Sequence, residues 1–403
     1  MADAPMQKHV PFSATRHSVR SLIGKRMPQL SSCLPAILPS LSTSRTIHHP
    51  TWIERQITFP NLSRQGIRWS REFKQFCDFR DVMHLDLFGG QGETCGAADL
   101  ISDLGLKTME TVVVGADPSL PACLQARAIT GVTVTPVYNG DRLIGGVFED
   151  ADAFYCMLGG IVPSNPAAPR DDQTAEVFSM IQRVLQQHGM EFRHVVRTWF
   201  YLDRILEWYD EFNRVRTSFF KGIDLGVMPA STGVGAANSQ GAALSAKVIA
   251  VLPKTPEICV QEASSPLQGH AASYGSAFSR AIELRDAASR TLYISGTASI
   301  APDGCTLHIG DTTKQIETTM EVVDAILGRC DMGIEDMTRG VVYLRHGADA
   351  PLWNRYCERM GLGDLPVAVV QSEVCRDDLL FEIELDAAIQ LPGYLHTSSD
   401  ETR

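Results

Sequence analysis

Three acidic residues alternate with apolar ones near the end of the chain, in Phe381-Glu382-Ile383-Glu384-Leu385-Asp386. Side chains alternate across a strand, so Glu382, Glu384 and Asp386 share one face, opposite Phe381, Ile383 and Leu385. Such a face is either solvated or holds a partly buried carboxyl, whose raised pKa suits it to act as a general acid near neutral pH. Cys375 has only Arg376 beside it to lower its pKa, so it reads as a pocket-lining or buried apolar residue rather than a nucleophile. Arg197 and Arg339 each interrupt an apolar strand-like run and need an anionic partner. That partner is either a fixed Asp or Glu, or a substrate carboxylate gripped by the guanidinium fork. Tyr201 and Tyr274 either donate phenolic hydrogen bonds to a ligand or pack as ordinary aromatics. Ser295-Gly296 lies in a strand, where glycine marks a bulge or a close approach of backbone to another group. Arg214 and Arg216 fall on a helix and read as solvated.

The elements that must position these residues occur twice. Asp172–Leu202 lies over Lys314–Leu344 at an offset of 142 without gaps, which puts Arg197 on Arg339 and Tyr201 on Tyr343. Val177, Ile181, Val184 and Leu185 in one copy, and Ile316, Met320, Val323 and Leu327 in the other, recur at helical spacing. Each helix leads into a strand-like run, 194–202 and 337–344. A second helix, a proline (Pro229, Pro366) and a closing strand follow, over 242–252 and 379–389. Before each first helix lies a strand pair, one including 147–158 and the other 291–300. The unit predicted is a mixed sheet with two helices on one face, an α+β architecture. Laying Leu244-Ser245-Ala246 over Leu380-Phe381-Glu382 puts Ala246 at the acid position of the first copy. The expected organisation is an N-terminal extension over 1–82, a first domain over 83–253, a linker over 254–268, a second domain over 269–392 and a tail over 393–403.

The chain has 403 residues and a formal net charge of −11, unevenly spread. Residues 1–53 hold six basic residues and Asp3, a sum of +5, so the remainder carries −16. So acidic a body repels phosphate backbones and disfavours nucleic-acid binding, RNA cleavage included. The basic, Ser-rich start fits a mitochondrial transit peptide or an extension without an address. Ten cysteines at irregular spacing with no C-x-x-C pair read as reduced thiols of an intracellular protein, cytoplasmic or mitochondrial and not secreted. The histidines show no metal-ligand spacing, so no metal is expected. No apolar run has transmembrane length. Gly89-Gly90-Gln91-Gly92 lacks the Lys-Ser/Thr of a phosphate loop and reads as a turn.

Ser295-Gly296-Thr297-Ala298-Ser299-Ile300, the helix after it and Leu379-Leu380-Phe381-Glu382-Ile383-Glu384 resemble the RidA/YjgF superfamily over roughly residues 140–390. The resemblance implies two tandem chorismate-mutase-like domains, trimer-like packing of domains and sites in clefts between units. Within the superfamily the two-copy chain is most similar to chorismatases. Arg197-Thr198-Trp199-Phe200-Tyr201-Leu202 resembles their Arg-x-Trp-x-Tyr segment. Ser273-Tyr274-Gly275 with Phe278-Ser279-Arg280-Ala281 resembles the opening of their second domain, and Cys375 with Glu382 their catalytic pair. The arginine that usually follows the proline in imine-deaminating members is missing from Pro366-Val367-Ala368 and from Pro229-Ala230-Ser231. The resemblance therefore implies a cofactor-independent hydrolase or lyase acting on a small carboxylated enol ether or enamine. Glu382 would be the general acid/base. Cys375, Tyr274, Tyr201, Ser295 and Gly296 would line the site, and Arg197 and Arg339 would hold carboxylate. An imine or enamine deaminase and a non-catalytic small-molecule-binding oligomer are the alternatives.

Overall fold

The helical spacing of Val177, Ile181, Val184 and Leu185 produces α1 (Arg170–Gln187), and the matching spacing in the second copy produces α3 (Thr312–Arg329), with all these apolar residues buried. The Asp311 side chain caps α3 by accepting from the Lys314 amide at 3.0 Å, satisfying one of the unpaired donors of the first turn. Shorter second helices follow, α2 (Tyr209–Lys221) and α4 (Ala350–Met360). Gly361 ends α4 at φ 68°, a left-handed cap that glycine takes without strain. A computed structural model describes residues 42–62, 73, 76, 82–89, 109–114, 120–269 and 277–392, all within the compact unit Ser40–Arg403.

Three sheets make up the described chain. The second contains β6 (Thr135–Asn139), β7 (Arg142–Glu149), β8 (Ala153–Ile161), β9 (Val195–Leu202), β10 (Ala230–Gly235) and β11 (Leu244–Pro253). The third contains β12 (Cys259–Ala263), β13 (Ala281–Arg285), β14 (Ser289–Ala298), β15 (Met337–Leu344), β16 (Val367–Gln371) and β17 (Phe381–Gln390). Their orders are β6-β7-β8-β11-β9-β10 and β12-β13-β14-β17-β15-β16, the same topology, each with one parallel pair at its edge. This is the tandem α+β fold expected. Helices α1 and α2 cover the outer face of the second sheet, and α3 and α4 that of the third.

The first sheet departs from the expected boundaries. It contains β1 (Thr43–His48), β2 (Ile53–Phe59), β3 (Val82–Gly89), β4 (Met109–Val114) and β5 (Cys123–Thr130), in the order β1-β2-β5-β3-β4. That is the order of the other two sheets without their opening strand, and again the edge pair β3-β4 is parallel. Two of its strands come from residues set apart as an extension, where charged residues break the apolar alternation that signals a strand. β12 likewise arises from residues read as a linker. Residues 147–158 span two strands with a turn between them. The glycines after Gly89 and the tail after Pro392 lie outside the described residues.

The inner faces of the three sheets meet. Gln125 on β5 donates to the Gly340 carbonyl on β15 at 2.9 Å, and Arg127 on β5 pairs with Asp386 on β17 at 2.9 Å. Lys247 on β11 pairs with Asp86 on β3 at 2.5 Å. Arg197, Arg339 and Trp199 converge on Glu384. Breaking one partner out of so buried a pair costs about 3–5 kcal/mol.

Candidate active site

The strand pairings give structural equivalences between the sheets. Leu202 pairs with Leu244 in the second sheet, and Leu344 pairs with Phe381 in the third. One step on, Tyr201 pairs with Ser245 and Tyr343 with Glu382. Ser245, not Ala246, therefore stands at the acid position. Ala246 and Ile383 both point to the helix-covered side. The sequence overlay slips by one residue, and a one-residue slip moves every side chain to the other face. In the first sheet Phe88 pairs with Cys123, so Cys123 takes the same place. Of the three equivalent positions, only Glu382 carries a carboxyl.

Glu382 opens into a cleft between the second and third sheets, with about 540 Å³ of empty space including its mouth. The second sheet contributes Ser231 and Gly233 from β10, and α2 contributes Tyr209 and Arg216. The third contributes Gly296 from β14, Arg280, Cys375 and Arg376. A register shift between Ile294 and Thr297 leaves Ser295-Gly296 as a bulge beside Glu382. A Cβ on Gly296 would overlap Glu382 Oε1 and lie 3.0 Å from its carboxyl carbon, so only glycine leaves room for the acid there. The bulge is held across the unit boundary: Gly296 N donates to Thr232 Oγ1 at 3.1 Å. Ser295 Oγ accepts from the Ser231 amide at 2.8 Å and donates to the Ser279 carbonyl at 2.5 Å.

Burial and then the nearby Glu384 anion push the Glu382 carboxyl up to about 8, against the pull of Arg197 and Arg280. Burial also opposes the charge on Glu384, yet Arg339, Arg197, Lys247 and the Thr232 hydroxyl together hold its carboxyl below the usual range. The face thus holds one acid kept protonated at neutral pH and one kept ionised. Burial, followed by Glu382, pushes the Cys375 thiol up to about 12, so it lines the cleft as a neutral thiol. Burial lowers Arg280 to about 10, and it is 3% exposed. Arg216 is 2% exposed, donates to Asn213 Oδ1 at 2.6 Å, and has an Nε with no hydrogen-bond partner.

Glu382, Cys375, Gly296 and Ser295 therefore come together at or beside the cleft. Arg197 and Arg339 do not line it. Arg197 is fully buried, bound to Glu384 and to Thr232 Oγ1 at 2.7 Å. Arg339 reaches Glu384 at 3.1 Å and Gln125 Oε1 at 3.1 Å. Both have the fixed carboxylate that was one of their two readings, because the face opposite them is another sheet and not an open cleft. Tyr201 is 1% exposed among the inner faces, and burial raises its hydroxyl well above the usual value. Tyr274 lies outside the described residues. Arg216, read as solvated, is a cleft residue. Its signal was the spacing Phe212, Arg216, Phe220, which are the buried residues of α2. Arg214, by contrast, is exposed.

Comparisons with known proteins bear on the fold and the family. The family described as Endoribonuclease L-PSP matches residues 156–252. A chorismatase of Streptomyces rapamycinicus is 30% identical over 236 residues, covering 52% of this chain and 68% of its own length. A 3-hydroxybenzoate synthase of Streptomyces hygroscopicus is 25% identical over 278 residues, covering 63% and 79% of the two chains. A chorismatase crystal structure superposes with a TM-score of 0.58 at 20% identity, over 87% of this chain and the whole of that one, which shows a shared fold. With its two matching helix-covered sheets and these relatives, the chain belongs to the RidA/YjgF superfamily, in its chorismatase-like group.

Proposed function

We propose that this chain cleaves the enolpyruvyl ether of chorismate or a close analogue, releasing pyruvate. The observation that carries the reading is Glu382: a buried carboxyl pushed up to about 8, facing a cleft with three arginines in its wall. At neutral pH Glu382 holds a proton. Delivering it to the terminal methylene carbon of the enol ether turns the adjacent carbon into an oxocarbenium ion. Water adds there and gives up a proton, and the resulting hemiketal collapses to pyruvate as its hydroxyl proton passes to the departing ring oxygen, which leaves as the alcohol. The proton released by the adding water restores Glu382. Arg216, Arg280 and Arg376 supply positive charge for the two carboxylates of such a substrate. The Cys375 thiol and the Tyr209 ring supply apolar wall.

The test is an assay of the purified protein with chorismate, following pyruvate, beside Glu382→Ala. Pyruvate from the native protein and not from the variant supports the reading, whereas no pyruvate from either overturns the substrate assignment. Because one relative is a 3-hydroxybenzoate synthase, the ring product is identified as well. An aromatic hydroxy acid assigns elimination, and a non-aromatic diol assigns hydrolysis.

A further inference from the structure

Glu384 is the meeting point of three elements. Arg197 and Trp199 reach it from β9, Arg339 and Tyr343 from β15, and Thr232 Oγ1 from β10 at 3.0 Å. The Thr232 hydroxyl is fully used: it donates to Glu384 while accepting from Arg197 at 2.7 Å and from Gly296 N at 3.1 Å. Gly296 is the bulge residue against which the Glu382 carboxyl rests. An unbroken line of contacts therefore runs from Glu384 through Thr232 and Gly296 to Glu382. We propose that Glu384 is a positioning residue for the reaction, fixing both the place of Glu382 and its affinity for a proton. The proposal rests on the reading of Glu382 as the general acid.

The electrostatic half of the argument is a balance of neighbours. The groups around Glu382 are Glu384 on its own strand, Arg197 on β9, Tyr343 on β15, Tyr209 and Arg216 on α2, Arg280 ahead of β13, and Cys375 and Arg376 before β17. Arg197 is fully buried and needs an anion; Glu384 supplies it, which frees Glu382 from that duty. Remove the charge of Glu384, and Glu382 feels the pull of Arg197 without that offsetting anion. It would then ionise and lose the proton it is to deliver.

The first readout needs no substrate. The carboxylic-acid C=O band of Glu382, assigned by its loss in Glu382→Gln, is titrated by infrared difference spectroscopy on the full chain. In Glu384→Gln the midpoint is expected to fall by about 1–3 pH units, the range for a carboxyl beside an otherwise unpaired guanidinium. In Arg339→Gln, which removes a cation from the far side of Glu384, it is expected to rise. An unmoved midpoint in Glu384→Gln overturns the proposal. Should that variant fail to fold, Arg339→Gln decides alone: a rise supports the proposal and no shift overturns it. The alkaline limb of kcat/KM with chorismate should follow the midpoint. A midpoint that moves without the limb overturns Glu382 as the acid, not its coupling to Glu384.

Discussion

The carboxyl of Glu382 occupies the space where Gly296 lacks a side chain. The two residues come from neighbouring strands, and the bulge at Ser295-Gly296 turns the missing Cβ toward the acid. Gly296→Ala should displace the carboxyl without disturbing the sheet, because the atom that must yield is the end of a side chain. A displacement near 1 Å costs on the order of 100-fold in rate. Steady-state kinetics should show that loss, with the thermal midpoint close to native.

Glu382→Gln should lower kcat by about 100- to 10,000-fold, the usual contribution of a positioned proton donor. Its effect on stability should have the opposite sign and depend on pH. The folded carboxyl is raised from 4.5 to about 8, so the native contribution is fully present below 4.5 and is lost as pH rises through 8. The variant, which has no proton to lose, should therefore gain on the native protein across that window. The limit above pH 8 is on the order of 5 kcal/mol. Urea unfolding at several pH values measures the difference, and a constant offset would contradict the buried, protonated acid.

Arg216 and Arg280 are buried cleft cations. If each holds a substrate carboxylate, Arg216→Met and Arg280→Met should each lower kcat/KM by about 10- to 100-fold, the worth of one charge-assisted hydrogen bond. The loss should fall mainly on KM. A loss confined to kcat would assign them another duty.

Cys375 is held as a neutral thiol by burial, with its pKa near 12. Alkylation at pH 8 should reach the exposed Cys259 and Cys305 well before Cys375, as peptide mapping would report. Cys375→Ala should keep activity within about tenfold of native, since the thiol supplies wall and not a nucleophile.

Much of this was legible in the sequence. The paired helices and the Arg-x-Trp-x-Tyr strand place both helix-covered sheets, whereas the alternating acids of β17 fitted a solvated face equally, and the family resemblance was what pointed to Glu382. Partnership was not legible. Arg197 and Arg339 read equally well as substrate ligands, because Glu384, which binds both, is far from Arg197 in sequence. The first sheet escaped notice because Glu54, Arg55 and Gln56 interrupt the apolar pattern of β2, while the inner face they adjoin is itself polar and buried. The one-residue slip at Ala246 arose because β11 is buried on both faces, which leaves no alternation to fix its register.

The residues at the central register position of the three sheets are Glu384, Lys247 and Gln125. In a ring of three identical subunits, any charge at this position would confront two copies of itself. Joining the units in one polypeptide lifts that restriction. Each unit can present a different group, so acid, base and amide complement one another where identical copies would repel. Within this chain, the three-part interior exists only because its parts are allowed to be unequal. The same inequality leaves Glu382 as the one carboxyl among its three equivalent positions, the other two holding Cys123 and Ser245.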